Sequence, residues 1–413
     1  MGEQGGVEQL TRTEVDMSLL GRVKRGVVAF TPLPIAERIL PYKRAVFRAA
    51  GVTEPAPAAA QARTRLYIGP VNSAGQAYAW ARAAERLPGV AAANFMYRNG
   101  GDTFAYPADH AVDTAYFVQN ARWQRAQRRA VTRGFTHALL ESGRPVFGGG
   151  EDPTGDIAAL RARGVQVALL FHGSDIRTPS VHARSEPDSP FRDGGYPDQD
   201  RLERTAARNA ALIRSARLPV FVSTPDLLSF VPEATWLPVA VDPESWRAAE
   251  PTLQRRRPIV VHAPSRAGLK GTALVSPIAR RLHEEGVIEY RELHGVPAAD
   301  MPGVYGQADI VLDQFSLGIY GVAACEALAA GRLVVSHVSD EVRTRVRAWT
   351  GHELPVLEAC ASTVEDTLRA IADDPAPIRA LAARGPGFVR EIHDGRRSAA
   401  ALRGFLGVRE DPA

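Results

Sequence analysis

Residues 258–275 read PIVVHAPSRAGLKGTALV, and residues 308–338 read ADIVLDQFSLGIYGVAACEALAAGRLVVSHV. Each stretch begins with an apolar run typical of a buried strand, continues through a glycine-containing loop and enters a helix-like pattern. Strand, loop and helix in this order form the repeating unit of a parallel α/β sheet, in which ligands bind beyond the carboxyl ends of the strands. The two stretches therefore predict a Rossmann-like domain with a ligand site in its loops.

The first loop and the second helix carry charged side chains that suit a nucleotide. Arg266 is a forked cation and Lys270 is a point charge, and both suit a diphosphate. Glu326 lies in an apolar helix and can accept hydrogen bonds from two ribose hydroxyls. Because a buried carboxylate is costly without a partner, a ligand or a fixed cation is expected beside it. The alternatives are a solvated basic loop and a glutamate on a helix surface.

Strand-like and helix-like runs alternate along most of the chain. We expect an α/β fold of two Rossmann-like domains with an interdomain cleft, the first over residues 65–249 and the second over residues 250–392. Residues 393–413 are predicted to form a helix that packs back on the first domain. Residues 1–64 are interpreted as an N-terminal extension and a Pro/Ala-rich linker. The polar, turn-rich segment 179–200 is interpreted as a functional or flexible loop.

Length and composition are those of a globular chain of two domains. The 413 residues exceed what one hydrophobic core usually organises, and 45% hydrophobic with 23% charged residues is ordinary for globular proteins. No apolar run approaches the length of a transmembrane helix and the N-terminus has no apolar signal core, so we expect a cytoplasmic location. Cys325 and Cys360 are too few for a disulfide framework and are expected to stay reduced.

The net charge of +4 gives little support to nucleic-acid binding. Such binding requires positive charge gathered on one face, and only Arg122–Arg129 and Arg255–Arg257 are candidates. A solvated helix and a linker are the preferred interpretation of these two segments. We therefore expect small-molecule partners and no nucleic acid, while the sequence leaves the oligomeric state open.

In the first domain, the segment FHGSDIR (171–177) follows a buried-looking strand, so its polar side chains are expected to face the cleft. These side chains belong to His172, Ser174, Asp175 and Arg177. The glycine loop 69–75 is expected to form the facing wall, through Gly69, Asn72, Ser73 and Gly75. A packed, hydrogen-bonded role is the alternative for His172.

Two other patterns are compared with metal sites. Asp198 and Asp200 have the spacing of a metal-binding Asp-x-Asp motif, but they lie in a polar loop that leads to a helix rather than at a strand end. The histidines at positions 110, 172, 182 and 262 lack the ligand spacing of a zinc site. We therefore expect no metal.

The two opening stretches, together with STPDLL (223–228) and WLPVAVD (236–242), resemble the GT-B glycosyltransferases of family 4 (group 1). The architecture resembles that family over residues 66–407. In these enzymes the lysine of a Lys-Gly pair and an arginine just before it bind the donor diphosphate, and here these residues match Lys270 and Arg266.

The same family has two glutamates in the second stretch. The second glutamate holds the ribose and matches Glu326, whereas the first, which faces the donor sugar, is replaced by Gly318 here. Some similar members read aspartate-glutamine in the preceding strand and tyrosine-glycine at the helix start, as do Asp313, Gln314, Tyr320 and Gly321. In such members peptide N–H groups after the glycine would contact the sugar. Asp313 remains open to a catalytic role or a structural one at the strand end.

The resemblance implies a retaining glycosyltransferase that moves a sugar from a nucleoside-diphosphate donor, of UDP or GDP type, to a hydroxyl or amine acceptor without a further cofactor. It implies donor contacts at Ser265, Arg266, Lys270, Gly318, Tyr320, Gly321 and Glu326. The implied catalytic residues are His172, Asp175 and Asp313. Gly318 motivates the alternative, a catalytically silent nucleotide-sugar-binding or partner-activating protein of the same fold. An epimerase or phosphorylase is a third possibility, which the sequence favours less.

Overall fold

The computed structural model describes residues 61–98, 101–150 and 152–409. The predicted N-terminal extension, residues 1–64, lies outside the described residues apart from 61–64.

The first domain contains a seven-stranded parallel sheet in the order β3-β2-β1-β4-β5-β6-β7. Its strands are β1 (Thr64–Gly69), β2 (Val90–Arg98), β3 (His110–Asp113), β4 (His137–Glu141), β5 (Gln166–Phe171), β6 (Val220–Val222) and β7 (Thr235–Trp236). Its helices are α1 (Gln76–Ala84), α2 (Thr114–Gln119), α3 (Ala121–Gly134), α4 (Thr154–Arg161), α5 (Pro179–Ser185) and α6 (Gln199–Ala216). The strand order reverses between β1 and β4, and ligand crevices form at such switch points.

The second domain contains a five-stranded parallel sheet in the order β12-β11-β10-β8-β9. Its strands are β8 (Ile259–His262), β9 (Glu289–Glu292), β10 (Ile310–Leu312), β11 (Leu333–Ser336) and β12 (Leu357–Glu358). Its helices, with the C-terminal one, are α7 (Ala267–Lys270), α8 (Thr272–Glu284), α9 (Met301–Gln307), α10 (Val322–Ala329), α11 (Asp340–Thr350), α12 (Val364–Asp373), α13 (Ala376–Ile392) and α14 (Arg396–Arg403). Here the order reverses between β8 and β10, so the two loops quoted at the outset lie side by side.

Each sheet is buried on both faces, as parallel sheets require. In β1, Leu66 and Ile68 join the hydrophobic cluster on one face, and Tyr67 joins the cluster on the other. Leu402 of α14 belongs to the same cluster as Leu66, so the last helix packs on the first domain. Ser398 Oγ, also on α14, donates to the carbonyl oxygen of Pro238 at 2.8 Å.

The segment 179–200 is more ordered than the sequence suggested. It contains α5 and a 3-10 turn at 192–194, and α5 begins with Pro179 in its first turn, where the missing N–H costs nothing. The two-turn helix buries Pro179 and His182 rather than an apolar stripe, so no helical hydrophobic period marked it. Phe191 packs with Leu269 and Leu317 of the second domain, and this contact orders a segment whose composition is typical of a loop.

An ionic contact at the end of α5 joins the two domains. His337 Nε2 lies 3.0 Å from the Glu186 carboxylate of the first domain, and His337 Nδ1 lies 2.7 Å from Glu358. Since both ring nitrogens face carboxylates, only the doubly protonated imidazolium can donate to both. The hydrogen bonds to Glu186 and Glu358 raise the pKa of His337 to about 10.

We expect this contact to stabilise the protein in a pH-dependent way. The pKa in the folded state lies above the ordinary histidine value of 6.5, so the stabilisation is complete below pH 6.5 and is lost as the pH rises through about 10. His337→Gln should therefore lower the free energy of unfolding at pH 6 and have little effect above pH 10, as measured by urea unfolding at several pH values. Glu186→Gln should show the same convergence. A deficit that stayed constant across this range would mean that His337 contributes through packing alone.

Candidate functional site

The loops after β8 and β10 are held together by buried groups. His262, at the end of β8, lies with Nδ1 2.8 Å from the Leu312 carbonyl oxygen and with Nε2 2.8 Å from Thr272 Oγ1. Gly271 has a φ of 72°, and a Cβ there would lie 2.5 Å from Ser316 Oγ. Only glycine combines this left-handed conformation with so close an approach. The two loops therefore form one rigid surface at the carboxyl edge of the second sheet.

Lys270 and Asp313 form an ion pair on this surface. Lys270 Nζ donates a short hydrogen bond to Asp313 Oδ1, while the buried Oδ2 has no hydrogen-bond partner in the described part of the chain. Asp313 is 4% exposed, so its charge depends on Lys270 for compensation. The structure thus brings together two residues that the sequence placed in the same site.

Glu326 and Lys270 line the same cavity of about 180 Å³, here called the Lys270 cavity. The Glu326 carboxyl group has no hydrogen-bond partner among the described residues. Burial, and then the negative charge of Asp313, raise the pKa of Glu326 to about 8, and Lys270 offsets this only in part. A carboxyl group in this position is ready to accept hydrogen bonds from a ligand.

Other walls of the Lys270 cavity come from both domains. The segment 263–271, which follows β8 and includes α7, is here called the β8 loop, and its Ser265 lines the cavity together with Lys270. Val322 at the start of α10 also lines the cavity, so the N-terminal end of that helix faces it. Tyr106 of the first domain closes the opposite side, and burial with the Glu326 charge raises the pKa of Tyr106 to about 12. The neighbouring Phe104 carbonyl oxygen accepts from Ala298 N at 2.8 Å. Tyr106 and Glu326 also border a third cavity of about 700 Å³.

Arg266 lies apart from Lys270, although both were expected at one diphosphate. Its guanidinium donates to Ser174 Oγ of the first domain at 3.2 Å and lines a different cavity of about 580 Å³. We call this second space the Arg208 cavity, after a residue that also lines it. The β8 loop therefore separates the two cavities and contributes one cation to each.

Gly318 has a carboxylate beside it that the sequence did not indicate. It adopts a φ of 63°, and a Cβ there would lie 2.5 Å from Glu186 Oε1. Glu186 is distant in sequence and belongs to no motif, so only the packing of α5 on the second domain reveals it. The position that holds a glutamate in the resembling family is thus approached by a glutamate from the first domain.

Tyr320 and Gly321 differ in their placement. The Tyr320 side chain is 2% exposed, and its hydroxyl lies 3.3 Å from His393 Nε2, so it lines none of these cavities. The ring fills the core between α10 and α13, so the predicted donor contact at Tyr320 is open only to its backbone. Gly321 is the N-cap residue of α10, directly before Val322, which lines the Lys270 cavity.

In the first domain, the charged groups of Asp175 and Arg177 are already paired within the protein. The Asp175 carboxylate accepts from Ser142 Oγ at 2.6 Å and from the backbone N–H groups of His172 and Gly173. The Arg177 guanidinium is buried and pairs with Asp226 at 2.5 Å. Arg177 was expected to face the cleft, but its side chain is buried instead. Its charge is balanced by Asp226 of the STPDLL segment and is not exposed to the cleft.

His172 lines the Arg208 cavity and is held by a buried carboxylate that the sequence did not single out. Its Nε2 lies 2.9 Å from Glu141 Oε1, and its ring stacks on Trp80. Burial by itself lowers the pKa of His172, but the hydrogen bond and charge of Glu141 raise it overall. Glu141 also accepts from Val71 N at 2.8 Å and from Asn72 N. His172 is thus held by its hydrogen bond to Glu141 and also borders the cavity, which combines both interpretations of it.

The glycine loop is placed partly as expected. Ser73 and Ser174 line the Arg208 cavity. Asn72 is buried with a φ of 55° and donates from Nδ2 to the Pro107 carbonyl oxygen, so it fixes the loop. Gly75 faces Tyr106, and a Cβ at Gly69 would lie 2.9 Å from the Phe95 carbonyl oxygen. These two glycines permit close packing and offer no contact to a ligand in the Arg208 cavity.

Neither a metal cluster nor a membrane helix is found in the described ranges. In residues 61–98, 101–150 and 152–409, no three His, Cys, Asp or Glu side chains are grouped so as to hold a metal ion. Asp198 pairs with Arg201 at 2.8 Å at the start of α6. No helix in the same ranges has the length and apolar character needed to cross a bilayer.

Glu326 should make the stability of the unliganded protein depend on pH. Its folded pKa of about 8 lies above the ordinary glutamate value of 4.5, so its contribution is complete below pH 4.5 and is lost as the pH rises through 8. Glu326→Gln, which cannot ionise, should gain stability over the wild type by roughly 2–5 kcal/mol between pH 5 and pH 9. Chemical unfolding at both pH values tests this, with the exposed Glu233→Gln as control. Parallel curves for wild type and Glu326→Gln would contradict the expectation.

Similarity to solved structures identifies the fold of this chain. No protein-family model matches the chain, and no curated protein matches it. Sucrose-phosphate synthase from Thermosynechococcus elongatus is similar in structure, with a TM-score of 0.56 and 14% identity over 84% of this chain and 98% of that chain.

Two further solved structures are similar over nearly their whole length. Anabaena HepE in complex with UDP-glucose has a TM-score of 0.53 and 11% identity, over 83% of this chain and 99% of that chain. The catalytic domain of starch synthase IV from Arabidopsis thaliana, bound to ADP and acarbose, has a TM-score of 0.53 and 11% identity over 84% and 99%. The predicted fold class is confirmed: the chain has the GT-B fold of two Rossmann-like domains with a cleft between them.

Proposed function

We propose that the chain is a retaining glycosyltransferase that moves a sugar from a nucleoside-diphosphate donor to a hydroxyl or amine acceptor. The observation that carries the proposal is the unpartnered carboxyl group of Glu326 in the same cavity as Lys270 and the start of α10. A nucleoside diphosphate supplies what each of these groups lacks, since ribose hydroxyls donate to a carboxylate and phosphate oxygens accept from an ammonium group and from helix N–H groups.

The fold and the similar structures support the same proposal. The Lys270 cavity lies at the switch point of the second sheet, beyond the carboxyl ends of the neighbouring strands β8 and β10. HepE was solved with UDP-glucose and starch synthase IV with ADP, which shows that the GT-B fold accommodates such ligands. Leu293, Gly295 and Met301 line the apolar end of the cavity and are proposed to contact the base.

The chemistry that this arrangement performs is stabilisation of the leaving group. When the sugar leaves, negative charge grows on the diphosphate, and Lys270 with the N-terminal end of α10 lies where that charge appears. Arg266 is exposed, and its hydrogen bond to Ser174 is easily exchanged for a phosphate contact. In this scheme the cations of the chain do the work that a metal ion does elsewhere, so transfer is proposed to be metal-independent.

The acceptor is proposed to enter from the first domain beside His172. The imidazole, fixed by Glu141, is placed to donate to an oxygen atom of the acceptor or of the donor sugar. Asp175 is proposed to be a positioning residue, because its carboxylate accepts hydrogen bonds from the backbone N–H groups of His172 and Gly173. The leaving phosphate takes the proton of the attacking hydroxyl, and domain contacts exclude water from the cleft.

Donor binding should depend on Lys270 and Glu326. Lys270→Ala should weaken binding of a UDP-, GDP- or ADP-sugar by about 10- to 100-fold, because it removes charge-assisted hydrogen bonds to phosphate. Isothermal titration calorimetry measures this, and release of the free nucleoside diphosphate measures turnover. Arg347→Ala, an exposed cation on α11 that lines none of these cavities, is the control. Binding without any donor cleavage or transfer would favour the catalytically silent binding protein, and no binding of any of the three sugars would contradict the proposed function.

Donor binding should also release a proton at Glu326. The free carboxyl group has a pKa of about 8 and is mostly protonated at pH 7, whereas ribose hydroxyls that donate to it favour its ionised form. A nucleotide sugar is suitable for the measurement because both its phosphates are esters that do not titrate near neutral pH. Calorimetry in buffers of different ionisation enthalpy should show release of nearly one proton at pH 7 and little at pH 9. The same release in Glu326→Gln would show that another group titrates.

A further inference from the structure

The Arg208 cavity is a small-molecule site in its dimensions and position. It occupies about 580 Å³ at the carboxyl ends of β4 and β5, beside the start of α6, and Arg266 closes its second-domain side. Cavities of this volume accommodate small ligands rather than macromolecules. The β8 loop separates it from the Lys270 cavity, so a molecule here would lie next to a donor.

Four arginines line this cavity, namely Arg144, Arg201, Arg208 and Arg266. On α6, Arg201 and Arg208 are seven positions apart and so project from the same face. The forked guanidinium group suits two-point binding of phosphate, and several of them around one space repel one another until an anion enters.

The carboxylates nearest the cavity are turned away from it or already paired. Glu141 and Asp175 direct their oxygens to backbone N–H groups and to the His172 and Ser142 side chains. Asp198 pairs with Arg201 at 2.8 Å. Asp198 also lies close enough to Arg266 to feel its charge. Among the described residues, none of these three carboxylates is paired with Arg144 or Arg208.

Two of the arginines are available for a ligand. Arg208 has no hydrogen-bond or ion-pair partner among the described residues, although Asp152 lies close enough to feel its charge. Arg144 donates to the Tyr97 hydroxyl at 2.5 Å, a neutral partner that does not cancel its charge. Both side chains are exposed to the cavity, so neither requires refolding to bind an anion.

We propose that the Arg208 cavity binds the acceptor through a phosphate monoester, so that the acceptor is a hydroxyl compound carrying a phosphate group. This inference rests on the proposed function and adds the acceptor class to it. Arg208 and Arg144 hold the phosphate at the outer end of the cavity. The hydroxyl that reacts lies at the inner end, beside His172 and Arg266. Phosphate of this kind occurs in free sugar phosphates and in lipid headgroups, and the same arginines would recognise either.

The test measures anion binding without a donor. Inorganic phosphate and glucose 6-phosphate are titrated into the full chain by calorimetry, with unphosphorylated glucose for comparison, and vesicles containing phosphatidylinositol 4-phosphate are assayed by sedimentation. Arg208→Gln should weaken binding at least about tenfold, the effect of one lost charge-assisted hydrogen bond. Arg214→Gln makes the same charge change on α6 outside the cavity and should bind as the wild type does. Thermal unfolding verifies that both variants fold.

A second variant separates this site from the donor site. Phosphate also suits Lys270, so the titrations are repeated with Lys270→Ala, in which glucose 6-phosphate should still bind. Binding that is lost with Lys270→Ala but kept with Arg208→Gln would place the phosphate in the Lys270 cavity and overturn the inference. Equal affinity for glucose and glucose 6-phosphate, or equal effects of Arg208→Gln and Arg214→Gln in both the soluble and the vesicle assay, would also overturn it.

Failure of the inference and failure of the proposed function give different results. If Arg208 binds phosphate compounds but no donor is cleaved, the anion site is retained and the glycosyltransferase proposal fails. If donor sugar is transferred to acceptors without phosphate, and Arg208→Gln transfers as fast as Arg214→Gln, the glycosyltransferase proposal is retained and the phosphate-bearing acceptor is excluded.

Discussion

The ion pair between Lys270 and Asp313 is the constraint on which the candidate site depends. Three ionisable groups meet beyond the carboxyl ends of β8 and β10, namely two carboxyl groups and one ammonium group. Lys270 neutralises the charge of Asp313 directly. Burial and the Asp313 charge disfavour the ionised form of Glu326, whose pKa rises to about 8. On the proposed function, the unliganded site is electrostatically incomplete, and a donor completes it by donating hydrogen bonds to Glu326 and sharing Lys270.

A diphosphate would bring more negative charge than Lys270 alone can balance. The other contributions available nearby are the N-terminal end of α10 and the guanidinium of Arg266. Arg266 interacts with Ser174 across the cleft here, in an exposed contact of the kind that contributes little free energy. On the proposed function, a bound donor competes with Ser174 for Arg266, and this competition links donor binding to the wall of the acceptor cavity.

The sequence predicted the parts of the site that local order determines. Strand, glycine loop and helix recur, so Lys270 and Glu326 had to converge at a sheet edge, and the structure brings them into one cavity. Glu141 and Glu186 were not predictable, because their partners His172 and Gly318 are distant in sequence and only tertiary packing joins them. Periodicity also could not tell that the Tyr320 ring fills the core: a loop residue between two glycines has no period to follow.

The two domains touch through polar contacts beside the cleft and through apolar contacts. Glu186 meets His337, Arg266 meets Ser174, and a backbone hydrogen bond joins Ala298 to Phe104. Phe191 packs with Leu317, and Trp236 of β7 joins the hydrophobic core of the second domain. Because the β8 loop contributes Ser265 and Lys270 to one cavity and Arg266 to the other, any shift of the second domain alters both cavities together. On the proposed function, one motion of this loop would then align the donor with the acceptor for transfer.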